Sequence, residues 1–463
     1  MRWARILLLT FAAAVLAVFL LNLSWFDEPL LPGLAALRRP QPVILDGNAY
    51  PFALGFLAAK DRDPRAAGVE IIGILQARRD RGEPATIAKE EKRAILGEPL
   101  TTDGLGARSR PITAPSAATK SLGKTCLPRY RLDCAEQLIA SAASIDPTEP
   151  PLKTLFARYE TLLQQAHYVE TPAPDPATPW PPLGPIQELG RLRLAISFRM
   201  DPTAVFLEKV SQELRFWRMT LRESQLLGSK MSALAAVRWA NDFLSTLMRE
   251  RQLDARDLER LRGFVVPFSR EESDIGAAFL SEPRTALLGG EPWVAVDASW
   301  LIRAMLQKNA TFNQEFRDTI EPMRQRASLD AREYYDQKGF EPLRDGFRMT
   351  PTLFYNLGGK LALSRSPWDP EQFPARVHDE DGRIALLLIQ AEIEERPDLD
   401  VATLVRASVH RNPYTGEAME YDARAGTLGF ACLHTKFHPP EPADRCMVAL
   451  GRPSPGASRG PDR

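Results

Sequence analysis

Residues 202–222 read PTAVFLEKVSQELRFWRMTLR, and in them Val210, Leu214, Trp217 and Leu221 recur at steps of four, three and four. At 3.6 residues per turn those steps bring all four side chains to one face of an α-helix. The next stretch, Gln225 to Arg251, repeats the pattern with Leu227, Met231 and Leu234, then Leu244 and Met248. Its Gly228, Ser229, Ser232, Ala233 and Ala236 are small, which lets a neighbouring helix approach closely. Two long amphipathic helices in succession set the fold class as mainly α.

Working outward, helices are expected at Asp133 to Ile145 and Pro151 to Tyr168, then at Ala310 to Gln337 and Gly382 to Arg396, the last closed by Pro397. Ser269-Arg-Glu-Glu272 has the form of a capping box, in which Ser and Glu side chains satisfy backbone N–H groups of a first turn. It should open a helix carrying Ile275 and Phe279. After Arg411 the character changes. Asn412-Pro-Tyr-Thr-Gly416 is turn chemistry, and Met419-Glu-Tyr421 and Thr427-Leu-Gly-Phe430, with Gly426 between them, read as a small β-hairpin.

At the N-terminus, Arg2 and Arg5 precede a run from Ile6 to Phe26 without a charged residue, and Asp27 and Glu28 come directly after it. Those 21 residues, at about 1.5 Å each, span roughly 30 Å, the thickness of a bilayer's hydrocarbon core. Trp3 and Trp25 flank the run where amphipathic rings favour the interface, and the charge asymmetry favours an N-in orientation. A cleaved signal peptide would need a shorter apolar region and small residues before the cut, which Asn22-Leu-Ser-Trp-Phe26 does not offer. The expectation is a single-pass membrane anchor. Residues 6–26 meet the lipid bilayer, with the N-terminus cytoplasmic and the C-terminal body exported.

The chain is long enough, at 463 residues, to bury a sizeable core without metals or staples. Its 59 Lys+Arg balance 59 Asp+Glu and no basic stripe stands out, so nucleic acid is not an expected partner. Punctuation suggests a division into a cytoplasmic tip and transmembrane anchor (1–26) and a juxtamembrane spacer and irregular region with linker (27–125). Next come a disulfide-linked helical pair with a Pro-rich linker (126–182) and an α-helical body (183–410). A β-hairpin region with a disulfide (411–450) and a disordered tail (451–463) complete it.

Four cysteines fall as two local pairs, Cys126 with Cys134 and Cys432 with Cys446, which an oxidising compartment would turn into two disulfides. The second pair admits another reading. Cys432, His434 and His438 would share one side of an extended strand, and with Cys446 they offer sulfur and nitrogen donors suited to zinc. The spacing matches no common zinc module, and Pro439-Pro440 interrupts it, so the disulfide is the preferred reading and no cofactor is implied.

Enzyme motifs fare no better. Ser121-x-x-Lys124 resembles a penicillin-interacting motif but lies in a Gly- and Pro-rich stretch without its downstream partners. Glu271, Glu272 and Asp274 could pair for acid–base work, yet acidic residues at a helix N-terminus are favoured by the macrodipole alone. Lys230 could be buried with a lowered pKa, although a snorkelling side chain is the ordinary expectation. Gly358-Gly359-Lys360 lacks the earlier glycine of a phosphate loop, and His167, His378 and His410 read as isolated surface or capping residues. The reading leans away from an enzyme, and no catalytic residue is assigned.

Several stretches resemble a family of uncharacterised single-pass, membrane-anchored periplasmic proteins of Gram-negative bacteria. They are the apolar run, Leu155-Phe-Ala-Arg-Tyr-Glu160 with His167-Tyr168, Gly228-Ser-Lys-Met231, Asn356-Leu-Gly-Gly359, and Arg411-Asn-Pro-Tyr-Thr-Gly416 with Tyr421-Asp422 and Thr427-Leu-Gly-Phe430. The resemblance implies an inner-membrane anchor and a periplasmic helical body, and carries no activity. The function expected is a membrane-tethered interaction or structural protein with a protein partner in the cell envelope. A cell-envelope hydrolase with an unrecognised site is the alternative.

Overall fold

A computed structural model of the chain describes residues 2–22, 24–39, 43–81, 87, 89–97, 100, 134–171, 180–289, 300–337, 355–364, 372–433 and 445–451. Helices dominate, with one small antiparallel sheet near the C-terminus. The two long helices expected from periodicity are present as Thr203–Glu223 and Leu227–Glu250, joined by three residues. A connection that short forces antiparallel neighbours. Leu183–Met200 packs against both, so three helices form the central layer. Val210, Leu214, Trp217 and Leu221 all face the main core, as their spacing requires.

Gln372–Glu395 is the hinge of the architecture because it is buried on two sides. Val377, Ile384, Leu387, Leu388 and Ala391 join the main helical core. Ala375, Leu386 and Ile389, on the other side, join a second core with Tyr334, Tyr414, Phe430 and Val448. The sheet lies over that second face. Strands β1 (Glu420–Asp422), β2 (Thr427–Ala431) and β3 (Arg445–Ala449) run antiparallel in that order, with Tyr421 opposite Leu428 and Phe430 opposite Cys446. Gly382 faces the Phe430 ring so closely that any Cβ there would overlap it.

Three expected boundaries move, each for a physical reason. The last long helix starts ten residues before Gly382, at Gln372, because the apolar rhythm of its first turns is hidden by His378, Asp379, Glu380 and Asp381. The expected 310–337 helix is broken into Lys308–Glu315, a wide turn at Phe316–Ile320, Glu321–Arg326 and a separate Ala331–Asp336. Pro322 lacks an N–H and crowds the carbonyl of Asp318, so the turn before it opens. The capping box at Ser269 forms, but the helix it opens is only Arg270–Ser273. Asp274 then accepts a hydrogen bond from Gly276 N at 2.7 Å, and Ile275 and Phe279 are buried within or beside the 3₁₀ segment Gly276–Leu280.

Part of the 27–125 stretch expected to be irregular is helical. Ala49–Leu54 and Pro64–Asp80 are helices, N-capped by Asn48 and Asp63. Gly55 and Gly68 let their backbones touch. Arg158, in the helix Pro150–Leu163, donates to the carbonyls of Phe56 at 3.0 Å, Ala58 at 2.5 Å, Ala59 at 2.7 Å and Arg62 at 3.0 Å, closing the turn between those helices.

Arg2–Leu21 is one apolar helix, long enough to cross a membrane, and among the described residues none buries any part of its span. The segment after this helix is no loose spacer. Gln307 Nε2 donates to Leu21 O at 2.8 Å, and buried Asn22 accepts from Leu357 N at 2.8 Å. Both Asp27 carboxylate oxygens accept backbone N–H groups, from Asn309 and Ala310 at 2.9 Å each, at the start of Lys308–Glu315. Negative charge at that end of a helix is favourable. The short helix Pro32–Leu37 then buries Leu34 against Ala286, Leu287 and Phe312.

Candidate functional site

The interface between Leu227–Glu250 and Gln372–Glu395 is not purely apolar. Arg238, Asn241, Asp242 and Ser245 recur at helical spacing on one helix, and Glu380, Arg383 and Gln390 on the other. Asn241 Nδ2 donates to Glu380 Oε1 at 2.8 Å, and Arg383 Nη1 stands 3.7 Å from Asp242 Oδ1. Ser245 Oγ donates to Gln390 Oε1 at 2.9 Å, and Gln390 Nε2 donates to Ser245 O at 3.2 Å and to Ala449 O at 3.4 Å. The seam therefore ties both helices to β3.

Burial controls its charge. Glu380 is 3% exposed, and loss of hydration pushes its carboxyl up to about 7, although Arg383, Arg238 and the Asn241 amide all favour the ionised form. The same burial raises Asp242 and lowers the Arg238 guanidinium to about 10. Arg238 Nε and Nη2, Arg383 Nε and Asp242 Oδ2 make no hydrogen bond among the described residues. A carboxyl that titrates near neutrality between two guanidinium groups can hold or release a proton, which is the capacity a general acid or base needs.

On its opposite side the same helix places His378 and Asp379. His378 is buried rather than on the surface as expected, with its ring 5.4 Å from that of Tyr334, and burial lowers its imidazole to about 4. Its burial has the same origin as the early helix start: a histidine at the seventh position of a helix sunk between two cores is shut off from water. Asp379 accepts from Tyr414 Oη at 2.5 Å and Leu433 N at 2.8 Å.

Asp379 lies beside Cys432 and Cys446, which are joined as a disulfide with Cα atoms 5.4 Å apart. Both sulfurs are thus bonded to each other, and a metal site would require them as thiolates. His434, His438 and Cys126 lie outside the described residues, as do Ser121 and Lys124. Cys134 is buried at the first residue of Cys134–Ser141, so the expected Cys126–Cys134 bridge also falls outside them.

Lys230 does not snorkel. It is 2% exposed, and its Nζ donates to Leu221 O and to Arg222 O, carbonyls of the last turn of the preceding helix. The three-residue connection brings its first turn beside those orphan acceptors, and they claim the ammonium. Burial lowers its pKa to about 8. Two further buried carboxylates were invisible in the sequence. Glu170 accepts from Ser224 Oγ at 2.6 Å and Gln225 N at 2.8 Å, and Glu213 from Tyr159 Oη at 2.5 Å and Trp217 Nε1 at 3.2 Å. Burial raises both.

The remaining candidates serve the scaffold. Burial opposes ionisation of Glu272, but Arg218, donating at 2.7 and 2.6 Å, holds it below the usual carboxylate range. Gly358-Gly359-Lys360 lies inside the helix Leu357–Ser364, where Gly358 lets that helix meet the Ile302 carbonyl. His410 stands 3.7 Å from Glu392, and exposed His167 3.3 Å from Glu223. Comparison with protein-family models, curated proteins and solved structures gives no match for this chain.

Proposed function

We propose that this chain is a membrane-tethered interaction or structural protein of the bacterial cell envelope. Arg2–Leu21 spans the inner membrane, N-terminus inside, and presents the helical body to a protein partner in the periplasm. The observation that carries the reading is an apolar helix with no residue of its span buried among the described residues, whose outer end is bonded into the body. A stretch of that composition prefers hydrocarbon to water, so leaving it uncovered in solution would be costly. The Cys432–Cys446 disulfide supports an oxidising compartment. The resemblance to anchored periplasmic proteins points the same way. The test is extraction of membranes from cells expressing the full chain: the protein should resist alkaline carbonate and yield to detergent. Recovery in the soluble cytosolic fraction with Cys432 and Cys446 open to alkylation would overturn it.

A second reading, a cell-envelope hydrolase, draws support from Glu380 alone. Its test is a screen of ester, peptide and glycoside substrates with the detergent-solubilised chain. An activity abolished by Glu380→Gln without loss of folding would favour this reading over a purely structural one.

A further inference from the structure

We infer that the body rests on the bilayer surface, with Trp25, Phe26 and Trp300 seated in the lipid headgroup layer. This deepens the membrane reading and rests on it. There is no tether between span and body: Leu21 is bonded to Gln307, and the very next residue, Asn22, is buried and bonded to Leu357. Tyr355 Oη fastens the following turn, donating to Phe26 O at 3.0 Å and accepting from Glu28 N at 3.1 Å. The part of the body around this joint must therefore lie at the level where the span ends.

That level carries large exposed aromatics. Trp25 is 88% exposed and Phe26 54%. Trp300, 79% exposed, opens the helix Trp300–Ala304, whose chain continues to Gln307. One helical turn and three further residues bound its distance from that bonded residue to about 17 Å. Ile302 points inward, while Arg303 shares the outer face with Trp300. An exposed indole suits the boundary between acyl chains and headgroups. The two acidic residues at the joint are both turned to partners in the body: Asp27 is engaged by a helix N-terminus and Glu28 accepts from Asn313 Nδ2 at 2.7 Å.

The test uses the full chain reconstituted in phosphatidylethanolamine–phosphatidylglycerol vesicles, with acyl chains either plain or brominated near the headgroup. Flotation first reports whether the protein is held by lipid. Bromine quenching of tryptophan fluorescence is then compared for the natural chain, Trp25→Phe and Trp300→Phe. With Trp25 and Trp300 at headgroup level, each substitution should lower the quenched amplitude measurably. If the protein floats but Trp300→Phe leaves that amplitude unchanged, the body stands clear of the bilayer and the inference fails while the anchor stands. If the protein does not float, the anchor reading fails and this inference with it.

Discussion

A single side chain can tie together segments about a hundred residues apart through hydrogen bonds made out of water's reach. Arg158 makes the point, since its guanidinium satisfies four carbonyls of one turn. Arg158→Met keeps most of the apolar stem and strands those acceptors, so it should lower unfolding free energy by roughly 3 kcal/mol, read by urea denaturation. His378 gives a pH signature. Its imidazole is lowered to about 4 from 6.5, so the folded state resists the proton that the unfolded chain accepts. Its contribution is fully present above about pH 6.5 and is lost as pH falls toward 4. His378→Phe should flatten that acid limb, and an unchanged limb would remove the assignment. Neither role was legible in the sequence. Arg158 and His378 carry no local pattern that separates them from surface residues, because what they do depends on chain segments far away.

At the scale of elements, the polar seam between Leu227–Glu250 and Gln372–Glu395 has the opposite pH sense. Glu380 is raised to about 7 from 4.5, so the folded state binds the extra proton between those values, and stability falls as pH rises through them. Glu380→Gln can still accept from Asn241, and it should gain up to about 3 kcal/mol over the natural chain at pH 8 relative to pH 4.5. Equal differences at both pH values would contradict the buried-acid assignment. The sheet edge is stapled separately. Cys432 and Cys446 are 14 residues apart, and replacing both with serine should cost about 3 kcal/mol, measured against the natural chain under non-reducing conditions.

Helix periodicity made Thr203–Glu223 and Leu227–Glu250 readable to within a few residues, because one face of each meets the core and the pattern survives. It caught only the second half of Gln372–Glu395 because that helix is buried on two faces, and its polar residues meet partners instead of water. The hairpin was legible from turn residues, but β3 was not, since five residues after a long gap carry too little alternation.

For the molecule as a whole, the apolar helix and the body form one mechanical unit. Asp27 is the key joint residue, holding two N–H groups of Lys308–Glu315. Asp27→Ala should cost about 1 kcal/mol and raise proteolytic cutting near residues 27–31, the site where the body would begin to swing free. The apolar run was the plainest signal in the sequence, whereas the bonds fixing it to residues 307–313 and 355–357 were not visible, being contacts between segments 286 to 335 residues apart. The measurement that bears most directly on the account is protease access in spheroplasts carrying the full chain. Added protease should digest the body while the inner membrane is intact and leave a small fragment holding residues 2–21. A body protected until the membrane is ruptured would place it in the cytoplasm and contradict the account.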